Sequence, residues 1–491
     1  MKKVIYFLLS VALTFSAAAC SGQSDGMELI TEKTKYVKSQ ARTPEKVYSL
    51  TLKATGGKDS MPIGCWYGPY QSERDTYNGI EPPDYVVEYY YKLMSEAGIN
   101  FIAYNTAPGD WATGDPEVIT RGLDYAAKYN IGCVIKDKYL EGTVRTPQEI
   151  DARTAAYRDH PAFMGIFSDD EPNAREMESV KGTIENYSKI FDMSEYLVYS
   201  NLFPGHAGGS VLSGTDESIT FDTYVRTMAE TGINFLSWDH YPYKYENQGT
   251  KNISTSYYTD LSTVRKVANE YEVPFWPFIQ AGGQWENKVG QFSDPVFPNE
   301  GELLWNVNSN IAYGAKAMQY FCFIQPPQFS TSYQIEDYYR NCMIGAAGNI
   351  NQWYYYIQKA NRQLQACAPV LMNAASMGVL KTSGIVENTI YRILPDDVLE
   401  LPWRELQSVS AKAVNEGADA DEGVMVGAFD YKGRSAFYVV NNSPAQKQTV
   451  ELKFDDKYGY DVIQRAKSVP VAAKTLTLTL EKGEGVLVAL K

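Results

Sequence analysis

Between residues 61 and 326 the chain repeats one rhythm eight times, a short apolar run followed by a stretch of helical periodicity. The runs are MPIGCWYG (61–68), INFIAYNT (99–106), IGCVIKD (131–137), AFMGIFSDDEP (162–172), YLVYSNLFP (196–204), INFLSWDHYPY (233–243), VPFWPFIQAGG (273–283) and AKAMQYFCFIQP (315–326). The stretches between them carry helix punctuation: EPPDYVVEYYYKLMSEAG opens on Pro and Asp and closes on Gly98. Apolar runs without alternation are strands buried on both faces, as in parallel sheets. Eight successive strand–helix units predict an α/β fold, a (β/α)8 TIM barrel. A doubly wound open sheet is the alternative, but no GxGxxG phosphate turn follows an early strand.

The pattern changes at about residue 376. GVMVGAFD, RSAFYVVNN, KQTVELKF, KTLTLTL and GVLVALK read as short strands separated by Gly, Asp, Asn and Lys turns. They predict a C-terminal antiparallel β-sandwich over 374–491, packed on a barrel that spans 59–373. At the other end, MKKVIYFLLSVALTFSAAA (1–19) has two lysines, an apolar core and small residues before Cys20. That arrangement resembles the lipobox of a bacterial lipoprotein, in which Cys20 is cleaved and lipid-modified. An ordinary secretory signal is the alternative; both export the chain, and the lipobox anchors it to a bacterial membrane. Residues 20–58 then form a tether and lead-in, the first part too poor in apolar residues to pack.

The formal net charge is -14, and loss of Lys2 and Lys3 takes it to -16. A surface so acidic repels phosphate backbones, which argues against nucleic acid as a partner. Beyond Cys20 the cysteines are Cys65, Cys133, Cys322, Cys342 and Cys367, with no CxxC spacing, so buried thiols are expected rather than a disulfide framework or a zinc site. The histidines, His160, His206 and His240, fall in three separate segments, which argues against a metal-dependent barrel hydrolase. No cofactor is implied. The chain does hold 38 Tyr, 8 Trp and 19 Phe, and aromatic faces at a cleft mouth stack on sugar rings.

Barrel chemistry belongs at the C-terminal strand ends. Those ends supply Trp66 and Tyr67 (strand one), Tyr104 and Asn105 (two), Lys136, Asp137 and Lys138 (three), and Asp169, Asp170 and Glu171 (four). Strand five gives Asn201; strand six Trp238, Asp239, His240 and Tyr241; strand seven Gln280, with Trp285 and Glu286 beyond; strand eight Tyr320, Phe323 and Gln325. Acids, amides and aromatics gathered at one end suit a neutral, hydroxyl-rich ligand, a carbohydrate. Glycosidic cleavage generally needs two carboxyl groups, one to protonate the leaving oxygen. Glu171 is the candidate acid, because neighbouring aspartates would raise its pKa. Strand alternation puts Asp169 on the side of Glu171 and makes it the tuner; a bulge would give that role to Asp170. The structural alternative is that the triplet merely caps the helix starting at AREMESV.

With barrel and strand four in place, the chain resembles the clan-A (β/α)8 glycoside hydrolases. "DHPAFMGIFSDDEPN" looks like their strand-four motif with Asp170-Glu171-Pro172 replacing Asn-Glu-Pro. It is most similar to exported barrel hydrolases that carry "DEP", "WDxYP", a strand-seven Gln and "GAK". Here these are Glu171 with its neighbours, Trp238-Asp239-His240-Tyr241-Pro242, Gln280 and Gly314-Ala315-Lys316. The resemblance implies a glycosidase with Glu171 as acid/base and a nucleophilic Glu on strand seven. Gln280 occupies that place, and an amide is no nucleophile. Asp239, Glu286 or a substrate N-acetyl group could take over. The rival reading is a sugar-binding lipoprotein on a decayed hydrolase scaffold, with the remaining strand-end residues contacting the sugar in either case.

Overall fold

The computed structural model describes residues 26–69, 85–105, 116–246, 250–254, 256–282, 287–288, 291–292, 298–325, 341–345, 347–381, 391–392, 405–414 and 423–491. Eight parallel strands close a barrel in chain order: β1 (Ile63–Cys65), β2 (Phe101–Asn105), β3 (Gly132–Ile135), β4 (Phe163–Asp170), β5 (Leu197–Leu202), β6 (Leu236–Trp238), β7 (Phe275–Gln280) and β8 (Met318–Phe321). The helices that follow them are α1 (Glu88–Glu96), α2 (Pro116–Lys128), α3 (Pro147–Thr154), α4 (Met177–Tyr187), α5 (Phe221–Ala229), α6 (Tyr257–Glu270), α7 (Glu300–Ala312) and α8 (Gln352–Leu371). Local sequence starts several of them. Thr146 and Glu149 form a reciprocal capping box at α3, with Pro147 in the first turn, and Asn299 with Glu302 does the same at α7.

The barrel is filled rather than hollow. Phe101, Val134, Met164, Leu197, Phe235, Trp276 and Ala317 pack its interior, and Gly64 leaves the room that the Phe101 ring occupies: a Cβ there would lie 2.2 Å from the ring. Above them Trp66 closes the stack, its ring centroid 5.6 Å from Phe167 and 5.5 Å from Phe278.

The C-terminal domain is an antiparallel sheet folded into a sandwich, as the alternating strands predict. It comprises β9 (Ala374–Lys381), β10 (Leu406–Ala413), β11 (Val424–Tyr431), β12 (Arg434–Asn441), β13 (Gln448–Gln464), β14 (Lys467–Leu480) and β15 (Gly485–Leu490). The long β13 pairs with β10 over its first half and with β15 over its second, and thus joins the two layers. Val409, Val426, Phe437, Leu452, Leu476 and Val488 meet between them.

Helix α7 is the hinge of packing between the domains. Trp305 Nε1 donates to Asn442 Oδ1 at 2.8 Å, and Asn308 Nδ2 donates to the Gly483 carbonyl at 2.8 Å. Lys316, the lysine of the "GAK" lead-in, is buried beneath the barrel and donates to the carbonyls of Leu371 and Ala374. Its burial pulls the ammonium pKa down to about 7. This motif residue stitches barrel to sheet and lies away from the strand C-termini.

The lead-in departs from expectation. From residue 26 it is laid along the sandwich rather than left as a free tether. Glu28–Leu29 pairs with β14, Ser39 N–H donates to the Lys491 carbonyl at 2.8 Å, and Arg42 N–H donates to the Gly433 carbonyl at 2.7 Å. The Arg42 guanidinium also lies 3.8 Å from Glu405 and 3.7 Å from Asp430. Backbone pairing compensates for the few apolar side chains of this segment. The leader and Cys20 lie outside the described residues.

Candidate active site

The end of β4 is irregular, and that irregularity sets the site. Phe167 pairs with Tyr199, but the next paired residue is Asp169, opposite Ser200, and Asp170 then pairs with Asn201. The slip takes up Ser168 as a bulge. Paired residues of parallel strands share a face, so Asp170 follows Tyr199 and Asn201 toward the barrel axis while Asp169 turns the other way with Ser200. The tuner expected at Asp169 is therefore Asp170. Glu171 comes next with φ +51°, a left-handed conformation that a residue with a Cβ adopts at a cost, held by its N–H donating to the Asn201 carbonyl at 3.0 Å.

This turn aims Glu171 at Asp239, directly beyond β6. The two carboxyl groups are hydrogen-bonded to each other, with the proton on the more deeply buried Asp239. Burial raises the pKa of Glu171. Burial, then the charges of Glu171 and Asp170, raise that of Asp239 well above the usual carboxylate range. Asp170 touches solvent in the mouth, yet loss of bulk water to the surrounding protein and the Glu171 charge push its carboxyl to about 8. Asp169 rises to about 6, mainly by burial, with Glu176 and Glu141 adding and Lys136 opposing.

A chain of polar side chains runs from the barrel interior to this pair. Gln319 Nε2 donates to Ser237 Oγ at 2.9 Å, Ser237 Oγ donates to Asn201 Oδ1 at 2.9 Å, and Asn201 Nδ2 reaches Asp239 Oδ1 at 3.4 Å. Tyr199 joins it through Ser237 and Gln319. Sequence reasoning missed Ser237, Gln319 and Tyr199. Their signal was a polar group inside an otherwise apolar strand, in phase with the acid at its end. Tyr224 of α5 was also missed; its hydroxyl donates to the Pro172 carbonyl at 2.8 Å and receives Phe203 N–H, bracing the turn after Glu171.

Tyr241 belongs to the same mouth. Its ring lies 5.7 Å from Phe321, and burial together with the charges of Asp239, Glu171 and Asp170 raises its phenol pKa. Tyr67 lies 6.1 Å from Phe321 on the other side.

Other expected contacts are corrected. Asp137 is fully buried in an ion pair with Arg153 of α3 (2.7 and 3.0 Å), and also accepts Tyr157 OH (3.0 Å) and Tyr139 N–H (3.0 Å). It is a structural anion. Trp238 follows the inward Ser237 and so faces outward, packed among the barrel helices at 1% exposure. Trp66 is the lid of the barrel core. Gln280 is fully buried and accepts Tyr243 N–H at 3.2 Å. Gln325 is buried at 1% exposure, near Cys342. Tyr320 donates to Asn361 at 2.6 Å, and Phe323 is fully buried. His240 is buried against Asp260. The side chains of Tyr104 and Asn105, and the whole of Trp285 and Glu286, lie outside the described residues.

No family model matches the chain, and no curated protein matches it in sequence. Solved structures do share its architecture. A beta-galactosidase from Bacillus circulans sp. alkalophilus superposes with a TM-score of 0.50 at 10% identity, covering 88% of this chain and 99% of that one. An alpha-amylase from Geobacillus thermoleovorans gives a TM-score of 0.47 at 8% identity, covering 91% and 99%. At such identities the likeness is one of fold: the chain has the TIM-barrel architecture found among glycoside hydrolases, with a C-terminal sheet domain.

Proposed function

We propose that the protein is a glycoside hydrolase acting on O-glycosidic bonds of an oligo- or polysaccharide, with Glu171 and Asp239 as its catalytic carboxyl pair. The observation that carries this reading is the hydrogen-bonded contact between the two groups at the barrel mouth. One proton held between two carboxyl groups supplies both functions that glycosidic cleavage needs. Glu171, on its projecting turn, delivers the proton to the leaving oxygen. Asp239, left as the anion and steadied by Asn201, faces the positive charge that develops on the sugar ring. The pair is closer than the roughly 5–5.5 Å of retaining or 6.5–9.5 Å of inverting enzymes, so the scissile bond has to part the two groups on entry. Tyr67, Tyr241 and Phe321 supply aromatic surface beside it.

The test is hydrolysis of a panel of aryl and natural glycosides by the purified chain, with Glu171→Gln alongside. Loss of turnover with retained ligand affinity supports the enzyme. Sugar binding by the wild type with no turnover on any substrate favours the second reading, a carbohydrate-binding protein on a decayed scaffold. That reading draws on Gln280, which is tied to Tyr243 where the related hydrolases place a nucleophile. The lipobox-like sequence supports export and anchoring through Cys20; radiolabelled palmitate incorporation that disappears in Cys20→Ala tests this.

A further inference from the structure

His206, His240 and Asp260 stand far apart in sequence but converge beside the carboxyl pair. His206 lies in the single turn Gly205–Ala207 after β5, His240 directly follows Asp239 beyond β6, and Asp260 sits in the first turn of α6. One donor atom from each lies within 4.8 Å of the other two, the only such trio among the described residues. His240 and Asp260 are buried, at 1% and 4% exposure, and His240 Nδ1 is 2.8 Å from Asp260 Oδ2. That oxygen also accepts Gly205 N–H at 3.0 Å, and a Cβ on Gly205 would come within 2.4 Å of Oδ1, so this residue has no side chain where the carboxylate closes in. His240 Nε2 is buried with no hydrogen-bond partner, a costly arrangement for a polar atom. The His206 ring packs edge-on against His240 with centroids 4.9 Å apart, on the solvent side.

We propose that His206, His240 and Asp260 bind one divalent transition-metal ion of the zinc class. Two imidazoles and one carboxylate are a donor set that such ions favour over calcium or magnesium, and three protein ligands leave one position for water. Bonds of about 2.0–2.1 Å require the donors to draw closer than their present spread. His206, exposed and carried on a one-turn loop, is the ligand free to move inward. The ion is structural: it clamps the β5 loop, the residue after Asp239 and the start of α6 into one unit. The sugar chemistry proposed above involves no step through it.

The full-length chain, stripped with chelator and dialysed, is titrated with Co²⁺ and then Zn²⁺. The expected result is one Co²⁺ per chain with visible ligand-field absorption, displaced by Zn²⁺, and a higher Tm with Zn²⁺ than in chelator. His206→Ala, at an exposed position, keeps the chelator Tm but loses the absorption and the metal-dependent Tm gain, with affinity down roughly tenfold or more. Asp260→Asn weakens binding likewise, whereas His160→Ala, at the third histidine, leaves it unchanged. Wild-type chain that binds no stoichiometric Co²⁺, or His206→Ala that binds as wild type, overturns the site. Neither result depends on finding a sugar substrate.

Discussion

Asn201 Nδ2 stands 3.4 Å from Asp239 Oδ1 while the Asn201 side-chain oxygen accepts the Ser237 hydroxyl at 2.9 Å, so this amide passes the order of the barrel interior to a carboxyl in its mouth. Asn201→Ala removes a donor to the developing Asp239 anion. On the proposed reaction, kcat falls about 10–100-fold with KM little changed, a split that steady-state kinetics on the best panel substrate reads directly. An equal loss in KM alone would assign Asn201 to substrate binding instead.

Glu171→Gln keeps the shape of the turn and removes the transferable proton. Turnover of substrates with poor leaving groups drops by about 10²–10⁴, while activated aryl glycosides, which need less protonation, lose less. Equal losses across leaving groups would take the general-acid role away from Glu171.

Asp170 and Asp169 connect the site to stability. Each has a folded pKa raised above its unfolded value, to about 8 and about 6. Such groups favour the folded state while protonated, and that contribution is lost as pH rises through the folded value. Their burden therefore appears between about pH 4 and 8. Asp170→Asn raises stability at pH 8 by about 1 kcal/mol, a figure reduced for its contact with solvent, and leaves it unchanged at pH 4. Thermal melts at the two pH values check the sign. A Tm gain confined to pH 4 would reverse it.

The opposite behaviour is expected at Asp137, which the sequence placed among ligand-binding groups. Asp137→Asn breaks a buried pair with Arg153 and costs about 3–5 kcal/mol of stability, measured by urea unfolding, while kcat of the folded protein stays near wild type. A large kcat effect without destabilisation would return Asp137 to the site.

Asp137 also illustrates what a sequence conceals. The barrel was legible because each strand is a bare apolar run, and Glu171 and Asp239 were legible because acids at such strand ends are rarely idle. Whether a strand-end side chain faces the axis depends on register, and register is a property of two strands. Asp137 turns to an arginine on α3 that no local pattern announces. At Trp238 strict alternation was enough: with Ser237 inward, its neighbour faces out. At Asp169 alternation misled, because the bulge at Ser168 shifts the phase by one residue, and only pairing with Tyr199 and Ser200 reveals it. The approach of His206 to His240 is likewise written in closure of the barrel, not in spacing along the chain.

The lead-in strand has a consequence for how the molecule is made. Arg42 finds the Gly433 carbonyl, and Ser39 finds that of Lys491, the final residue. During vectorial synthesis or passage across a membrane, the first residues to emerge have to wait for the last. The barrel can close on its own local strand–helix units, but the segment before it stays unpaired until the sandwich is complete. A truncation that removes only β15 therefore frees the beginning of the chain as well as its end, and protease sensitivity should appear at both termini together.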